Sequence, residues 1–216
     1  MQALIFANGD VNDGAMVRRA LSLATSPLVI AADGGARVAW HFNLPINTVV
    51  GDMDSLNAGE ITLLEARGVT FLRHPPEKDS TDLELALHLA AEKGATWIRI
   101  IGGVGGRLDQ TLANVYLLAL PELVGCDVRL VAGKQEAWLL TTGENHIAGA
   151  LDDTLSLIPL GGAVKGVRTE NLYYPLRDET LLFGPARGIS NVMTAASARV
   201  WLREGVLLAV HTVGRA

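Results

Sequence analysis

The chain has 216 residues, about half of them apolar and under a fifth charged, the profile of a globular protein able to bury a core as one large domain or two small ones. A net charge of −5 with no Lys/Arg block argues against nucleic acid as a partner, which calls for a basic patch or stripe. The single cysteine, Cys126, excludes an intramolecular disulfide and reads as a small buried side chain; no segment suggests a signal peptide or a membrane span, so a cytoplasmic protein with no membrane partner is expected.

From the N-terminus, apolar runs alternate with helical patterns. Strands are predicted at 3–7, 28–32, 48–51, 69–73, 96–101 and 128–132, with helices at 14–24, 56–67, 81–92 and 108–120. This alternation is the signature of βαβ units and a mostly parallel sheet with flanking helices, Rossmann-like in its general layout. Thr81 and Glu84 form a T-x-x-E capping box ahead of the stripe Leu83, Ala86, Leu87, Ala90. In the last helix Leu108, Thr111, Leu112, Val115 and Leu118 recur at helical spacing, and Pro121 ends the run.

After about residue 143 helical periodicity disappears. Short β-forming runs follow at 154–158, 164–169, 172–174, 180–183, 198–202 and 206–210, separated by turn signals such as Gly161-Gly162 and Gly184-Pro185. The reading is an α/β domain over 1–142 followed by an all-β sandwich domain over 143–216.

Three loops follow predicted strands: Asp33-Gly34-Gly35, Gly51-Asp52-Met53-Asp54-Ser55 and Gly102-Gly103-Val104-Gly105-Gly106-Arg107. In an open parallel sheet the carboxyl ends of the strands share one edge, where ligands bind. A fourth segment, Lys78-Asp79-Ser80-Thr81-Asp82, opens a helix. Closely spaced aspartates offer hard oxygen ligands, and Mg²⁺ favours a few carboxylates completed by water and substrate phosphates. Glycines let backbone N–H groups approach phosphate oxygens, and Lys78 and Arg107 offer positive charge to a phosphoryl group in transfer. Neither the Walker A sequence nor G-x-G-x-x-G is present.

Each loop also has an ordinary structural reading. Asp-Gly-Gly makes a turn, Asp52 or Asp54 can cap the helix near Leu56, and Arg107 can pair with Asp109 or Asp127. The five histidines have no metal-ligand spacing, and Trp40, Trp97, Trp138 and Trp201 are read as core or subunit contacts. Jointly, the loops point to Mg²⁺-dependent phosphate transfer.

Taken together, ADGGA (32–36), GDMDS (51–55), KDSTDLELAL (78–87), GGVGGRLDQTLAN (102–114) and RGISN (187–191) resemble the bacterial thiamine pyrophosphokinases over essentially the whole chain. The resemblance implies a homodimeric enzyme that moves the pyrophosphoryl group of ATP onto the hydroxyl of thiamine, with Mg²⁺ required. It implies that Asp52, Asp54, Asp79 and Asp82 form the acidic metal site. Asp33, Gly34, Gly35, Lys78, Gly102, Gly103, Arg107 and Asp109 would serve nucleotide and phosphates, and Arg187, Ser190 and Asn191 would serve thiamine. Asp79 or Asp109 is the expected proton acceptor. Two departures are visible: Gln110 stands where the family often has His, and Val192-Met193-Thr194 is more apolar than the expected continuation. A pyrophosphokinase or phosphohydrolase acting on another alcohol is the alternative, and a non-enzymatic sensor is a third.

Overall fold

The computed structural model describes residues 1–215 and divides into two compact units, Met1–Gly133 and Lys134–Ala216. The break falls before a strand at 135–140, which belongs to the second unit, rather than at the expected 142/143.

The first unit holds β1 (Gln2–Phe6), α1 (Ala15–Leu23), β2 (Leu28–Ala32), α2 (Gly35–His41), β3 (Thr48–Gly51), α3 (Ala58–Ala66), β4 (Thr70–Arg73), α4 (Asp82–Glu92), β5 (Trp97–Ile101), α5 (Leu108–Tyr116) and β6 (Asp127–Ala132). The strands run in the order β4-β3-β2-β1-β5-β6, every neighbour parallel. Strands covered on both faces read as near-continuous apolar runs, and Ala3, Leu4, Ile5, Phe6, Ile98, Ile100 and Ile101 are all buried. Chain order reverses at β1, whose neighbours are β2 and β5, so the crevice of this sheet opens beyond the ends of β1 and β5.

The helices follow from their caps. The Asn57 side chain accepts from the Glu60 N–H at 3.0 Å while Glu60 accepts from the Asn57 N–H at 2.9 Å, a reciprocal box opening α3. Asn57, not Asp52 or Asp54, is therefore the cap there. At α4, Thr81 accepts from the Glu84 N–H at 3.2 Å, and the Glu84 carboxylate lies 3.7 Å from His88. Its expected stripe Leu83, Ala86, Leu87, Ala90 is buried. The short helix α2 was not expected, because its start was read as a strand-end loop or turn. In α5 the apolar residues at helical spacing do not form a core face: Leu108 and Leu112 are exposed, as is Tyr116, and Asn114 is the buried residue.

The second unit is all β: β7 (Gln135–Leu140), β8 (Gly143–Ala148), β9 (Thr154–Glu170), β10 (Arg177–Leu181), β11 (Asn191–Val192), β12 (Ser197–Leu202) and β13 (Glu204–Thr212). β13 pairs antiparallel with β7 and with the first half of β9, which also carries β11. The second half of β9 pairs with β10 and β12, and β12 with β8. The predicted turn at Gly161-Gly162 is thus an irregularity inside one 17-residue strand. Leu160 faces Val206 and Lys165 faces Glu204, so the extra residues of β9 bulge out and re-aim it. One apolar cluster draws on both halves, with Trp138, Leu155, Leu157 and Leu207 from one side and Ile147, Val164, Val200 and Leu202 from the other.

His211 departs from the expectation of surface or half-buried histidines. It is fully buried, with Nε2 2.8 Å from Asp153 Oδ2 and Nδ1 3.6 Å from Glu136 Oε1. Burial works against the imidazolium, yet the two carboxylates outweigh it and raise the pKa. Asp153 also accepts from the Ala150 and Gly214 N–H groups at 2.8 Å each, tying the turn before β9 to the end of β13. Cys126 is half-buried, its Sγ 3.4 Å from the Ala95 carbonyl oxygen.

Candidate active site

A cavity of about 590 Å³ opens in the first unit where the loops after β1, β2, β3 and β5 meet the start of α4. Backbone hydrogen bonds fix its floor. The Gly9 N–H donates to the Gly102 carbonyl at 2.8 Å and the Asp10 N–H to the Val104 carbonyl at 2.9 Å, prolonging the β1–β5 pairing into the loops. Gly102 has φ +75°, and a Cβ there would lie 2.3 Å from the Ala7 carbonyl oxygen, so only glycine fits. Asn114, buried on α5, donates to the Gly103 carbonyl at 2.7 Å.

The acidic loop after β3 works by alternation. Met53 takes a left-handed conformation, φ +66°, and its side chain is buried, while Asp52 and Asp54 on either side line the cavity. Arg37 of α2 braces this loop from behind, donating to the Ser55 carbonyl at 2.6 Å and pairing with Glu60. The Ser55 N–H donates to Asp33 Oδ2 at 3.1 Å.

Asp33, Asp52 and Asp82 each bring a carboxylate oxygen within 4.8 Å of the others. Asp33 is only 3 % exposed, and its Oδ1 is buried with no hydrogen-bond partner. Burial raises the Asp33 pKa, and the bonds from Ser55 offset that only in part. A buried anionic oxygen left unpaired is costly, and a hard cation would satisfy it. Lys78 Nζ lies 3.1 Å from Asp52 Oδ2 and 3.0 Å from Asp82 Oδ1. That ammonium lowers the Asp52 pKa. The Lys78 pKa is raised although burial opposes it, because both carboxylates hold the charged form. Three hard oxygen donors, two just past the ends of β2 and β3 and one at the start of α4, fit a divalent ion of the Mg²⁺ type.

A family description, "Thiamin pyrophosphokinase, catalytic domain", matches residues 20–130, and a second, "Thiamin pyrophosphokinase, vitamin B1 binding domain", matches residues 144–207. The chain belongs to the thiamin pyrophosphokinase family. The thiamine pyrophosphokinase of Bacillus subtilis (strain 168) is 28% identical over 163 residues, covering 75% of this chain and 76% of that protein. The fold of this chain is similar to the crystal structure of thiamine pyrophosphokinase from Bacillus subtilis, with TM-score 0.88, 25% identity and 99% of both chains covered. The yeast thiamin pyrophosphokinase structure shares the fold at TM-score 0.82 and 16% identity, over 98% of this chain and 86% of that one.

Against the residues expected from the family resemblance, the structure gathers some and separates others. Asp33, Asp52, Asp54, Lys78, Asp82, Gly102, Gly103 and Arg107 line the cavity. Asp79 is exposed and lies outside the described lining; in the carboxylate cluster Asp33 stands where Asp54 and Asp79 were expected. Gly34 and Gly35 are not in the described lining and are tightly packed. A Cβ on Gly35 would fall 1.9 Å from the Phe6 carbonyl oxygen, and one on Gly34 2.5 Å from the Asn8 amide. Arg107 pairs with Asp109 at 2.6 Å, both well exposed, and this pairing lowers the Asp109 pKa.

In the second unit Arg187 pairs with Glu179 at 3.0 Å. Ser190, at φ +56°, donates its N–H to Ser156 Oγ. The Asn191 side chain is spent on the backbone of Tyr174, accepting from its N–H at 3.0 Å and donating to its carbonyl at 2.7 Å. Met193 is fully buried in the core of this unit and Val192 belongs to β11, which accounts for the apolar continuation of that loop. Gln110 lines the first unit's cavity. Residues of the Asn8-Gly9-Asp10 loop also line it and were not singled out from sequence; Ser55, Thr81 and Thr111 line it too, and were read there as parts of loops or helix signals but not as site residues. The strand-end rule applied to the first strand finds the Asn8 loop.

Proposed function

We infer that this chain transfers the pyrophosphoryl group of ATP to the hydroxyl of thiamine, giving thiamine diphosphate and AMP. The family matches over both units support this reading, and the convergence of Asp33, Asp52 and Asp82 with Lys78 in one glycine-floored cavity carries it. The first unit is the ATP site and the second, which we read as a β-sandwich around the apolar cluster its two halves share, is the thiamine-binding part. The protein works in the cytoplasm as a homodimer; no helix among the described residues is long and apolar enough to cross a membrane.

Asp33, Asp52 and Asp82 hold Mg²⁺, with Asp54 beside them. The ion supplies charge neutralisation across the polyphosphate. The Gly102–Gly106 loop gives backbone N–H groups to the phosphates, and Arg107 swings from Asp109 to the transferred group. The thiamine hydroxyl oxygen attacks the β-phosphorus in line, the bond to the α–β bridging oxygen breaks, and AMP leaves. This needs alignment and charge compensation more than covalent catalysis. The hydroxyl proton passes to Asp79 or Asp109, the latter freed when Arg107 leaves it for the phosphate. Arg187 and Ser190 contact thiamine, whereas Asn191 acts through Tyr174.

The test is a mixture of the protein with ATP, Mg²⁺ and thiamine, resolved by chromatography. AMP and thiamine diphosphate should appear in equal amounts. ADP as the nucleotide product, or consumption of a different alcohol with thiamine untouched, would overturn the reading.

A further inference from the structure

We propose that Lys78 excludes free divalent cations from the carboxylate cluster and yields the site only to a metal arriving with a polyphosphate. The inference rests on the reading of Asp33, Asp52 and Asp82 as the metal site.

The same oxygens serve two competitors. The Lys78 ammonium lies 3.1 Å from Asp52 and 3.0 Å from Asp82, two of the three carboxylates that converge within 4.8 Å. Its side chain is only 14 % exposed and that of Asp52 12 %, so this is no solvated surface pair whose partners separate at little cost. A doubly charged ion entering the cluster would meet an ammonium a few ångströms away, in surroundings where water screens poorly. It would also find two of its carboxylates already sharing one ammonium. Asp33 alone, with its unpaired Oδ1, is too few ligands for an ion that dehydrates reluctantly.

A triphosphate changes both terms. It brings oxygens that complete the metal's shell and negative charge that accepts the ammonium in place of Asp52 and Asp82. Lys78 stands at the head of α4, four residues before Asp82 on the same segment, so a change of side-chain rotamer is enough to carry its ammonium to the incoming phosphate. The other basic residue of the cavity, Arg107, is paired with Asp109 and 71% exposed in its side chain; it does not compete for the cluster. The lysine thus couples metal and nucleotide binding, and it stops the carboxylates from repelling ATP before the metal is in place.

The test uses Mn²⁺ alone as the probe, titrated into the full-length chain and followed by its electron paramagnetic resonance signal. Lys78→Met should bind Mn²⁺ about tenfold more tightly than the wild type or better. The tightening of Mn²⁺ by a non-hydrolysable ATP analogue, large in the wild type, should shrink in the variant. Equal Mn²⁺ affinity in the two proteins would overturn the proposal and leave Lys78 as a phosphate ligand only. Adding Asp52→Asn to Lys78→Met separates the two readings: if Mn²⁺ affinity does not fall, the cluster is not the metal site. A wild-type measurement guards against misfolding of the variant. The NMR signal of the Lys78 side chain should move when Mg²⁺ and the analogue are added together and stay in place with Mg²⁺ alone; a full shift with Mg²⁺ alone would refute the coupling.

Discussion

Replacing Gly35 by alanine is a one-carbon change whose effect can be worked from the geometry. The added Cβ would sit 1.9 Å from the Phe6 carbonyl oxygen and 2.6 Å from its carbon, whereas carbon and oxygen in contact stand about 3.4 Å apart. The obstacle is backbone at the centre of the sheet, so no rotamer relieves it. Helix α2 must withdraw from β1 by more than an ångström. Ala36, Val38 and Ala39 of α2 are buried against that sheet, and a gap of 0.5–1 Å already forfeits about a quarter to a half of each contact. Overpacking typically costs about 1–3 kcal/mol, and a backbone clash belongs at the upper end. For a chain of this size about 3 kcal/mol lowers the melting temperature by roughly 6–12 °C. Thermal unfolding followed by circular dichroism measures it. A Gly35→Ala protein that melts within about 2 °C of the wild type would refute the packing role and return Gly35 to the ligand-binding residues.

Asp33→Asn should sharply weaken Mn²⁺ binding and activity while leaving the melting temperature unchanged or higher, since it removes a buried charge with an unpaired oxygen; loss of stability with metal binding intact would contradict this. The His211 cluster predicts a stability maximum in mildly acidic solution. The raised His211 pKa stabilises the fold fully below the ordinary value of 6.5 and is lost as pH rises through the folded value. The lowered Asp153 pKa stabilises above 3.8 and is lost as pH falls through its folded value. Melting temperature against pH should therefore peak between the two, and His211→Leu, which removes the cation between two buried carboxylates, should destabilise the fold and flatten the alkaline side. Asn191→Ala should raise the KM for thiamine through movement of Tyr173–Tyr174 while the Mg²⁺ requirement stays fixed; a changed Mg²⁺ requirement with unchanged KM would disprove that positioning role.

The α/β unit was legible because buried parallel strands announce themselves as apolar runs: β2 and β3 fall where the sequence places them. The acidic cavity was legible because strand ends share an edge. What sequence hid was decided by partners. Helix α2 has seven residues and no capping side chain, so its signal is weak until it packs on β1. β7 and β8, QEAWLL and GENHIA, are poor in β-branched residues and are strands because neighbouring strands pair with them. The carboxylate cluster was seen in part: Asp52 and Asp82 were expected together, while Asp33, expected on the nucleotide path, joins them through backbone geometry at φ +44°, which residue spacing does not encode. The helical spacing of Leu108 and Leu112 was real, but a stripe says which residues share a face and not whether anything covers it.

The placement of β1 between β2 and β5 has a kinetic consequence. β1 pairs with β2 across some two dozen residues, Ala3 facing Leu28, but meets β5 only when residue 3 reaches residue 98. That is the costlier loop to close and the slower pairing to form. The acidic loops after β2 and β3 belong to the locally connected half of the sheet, while the glycine floor arrives with β5. An interrupted folding reaction would therefore leave a species that holds its carboxylates without the phosphate cradle, and capture of the nucleotide would report that the last long-range contact has been made.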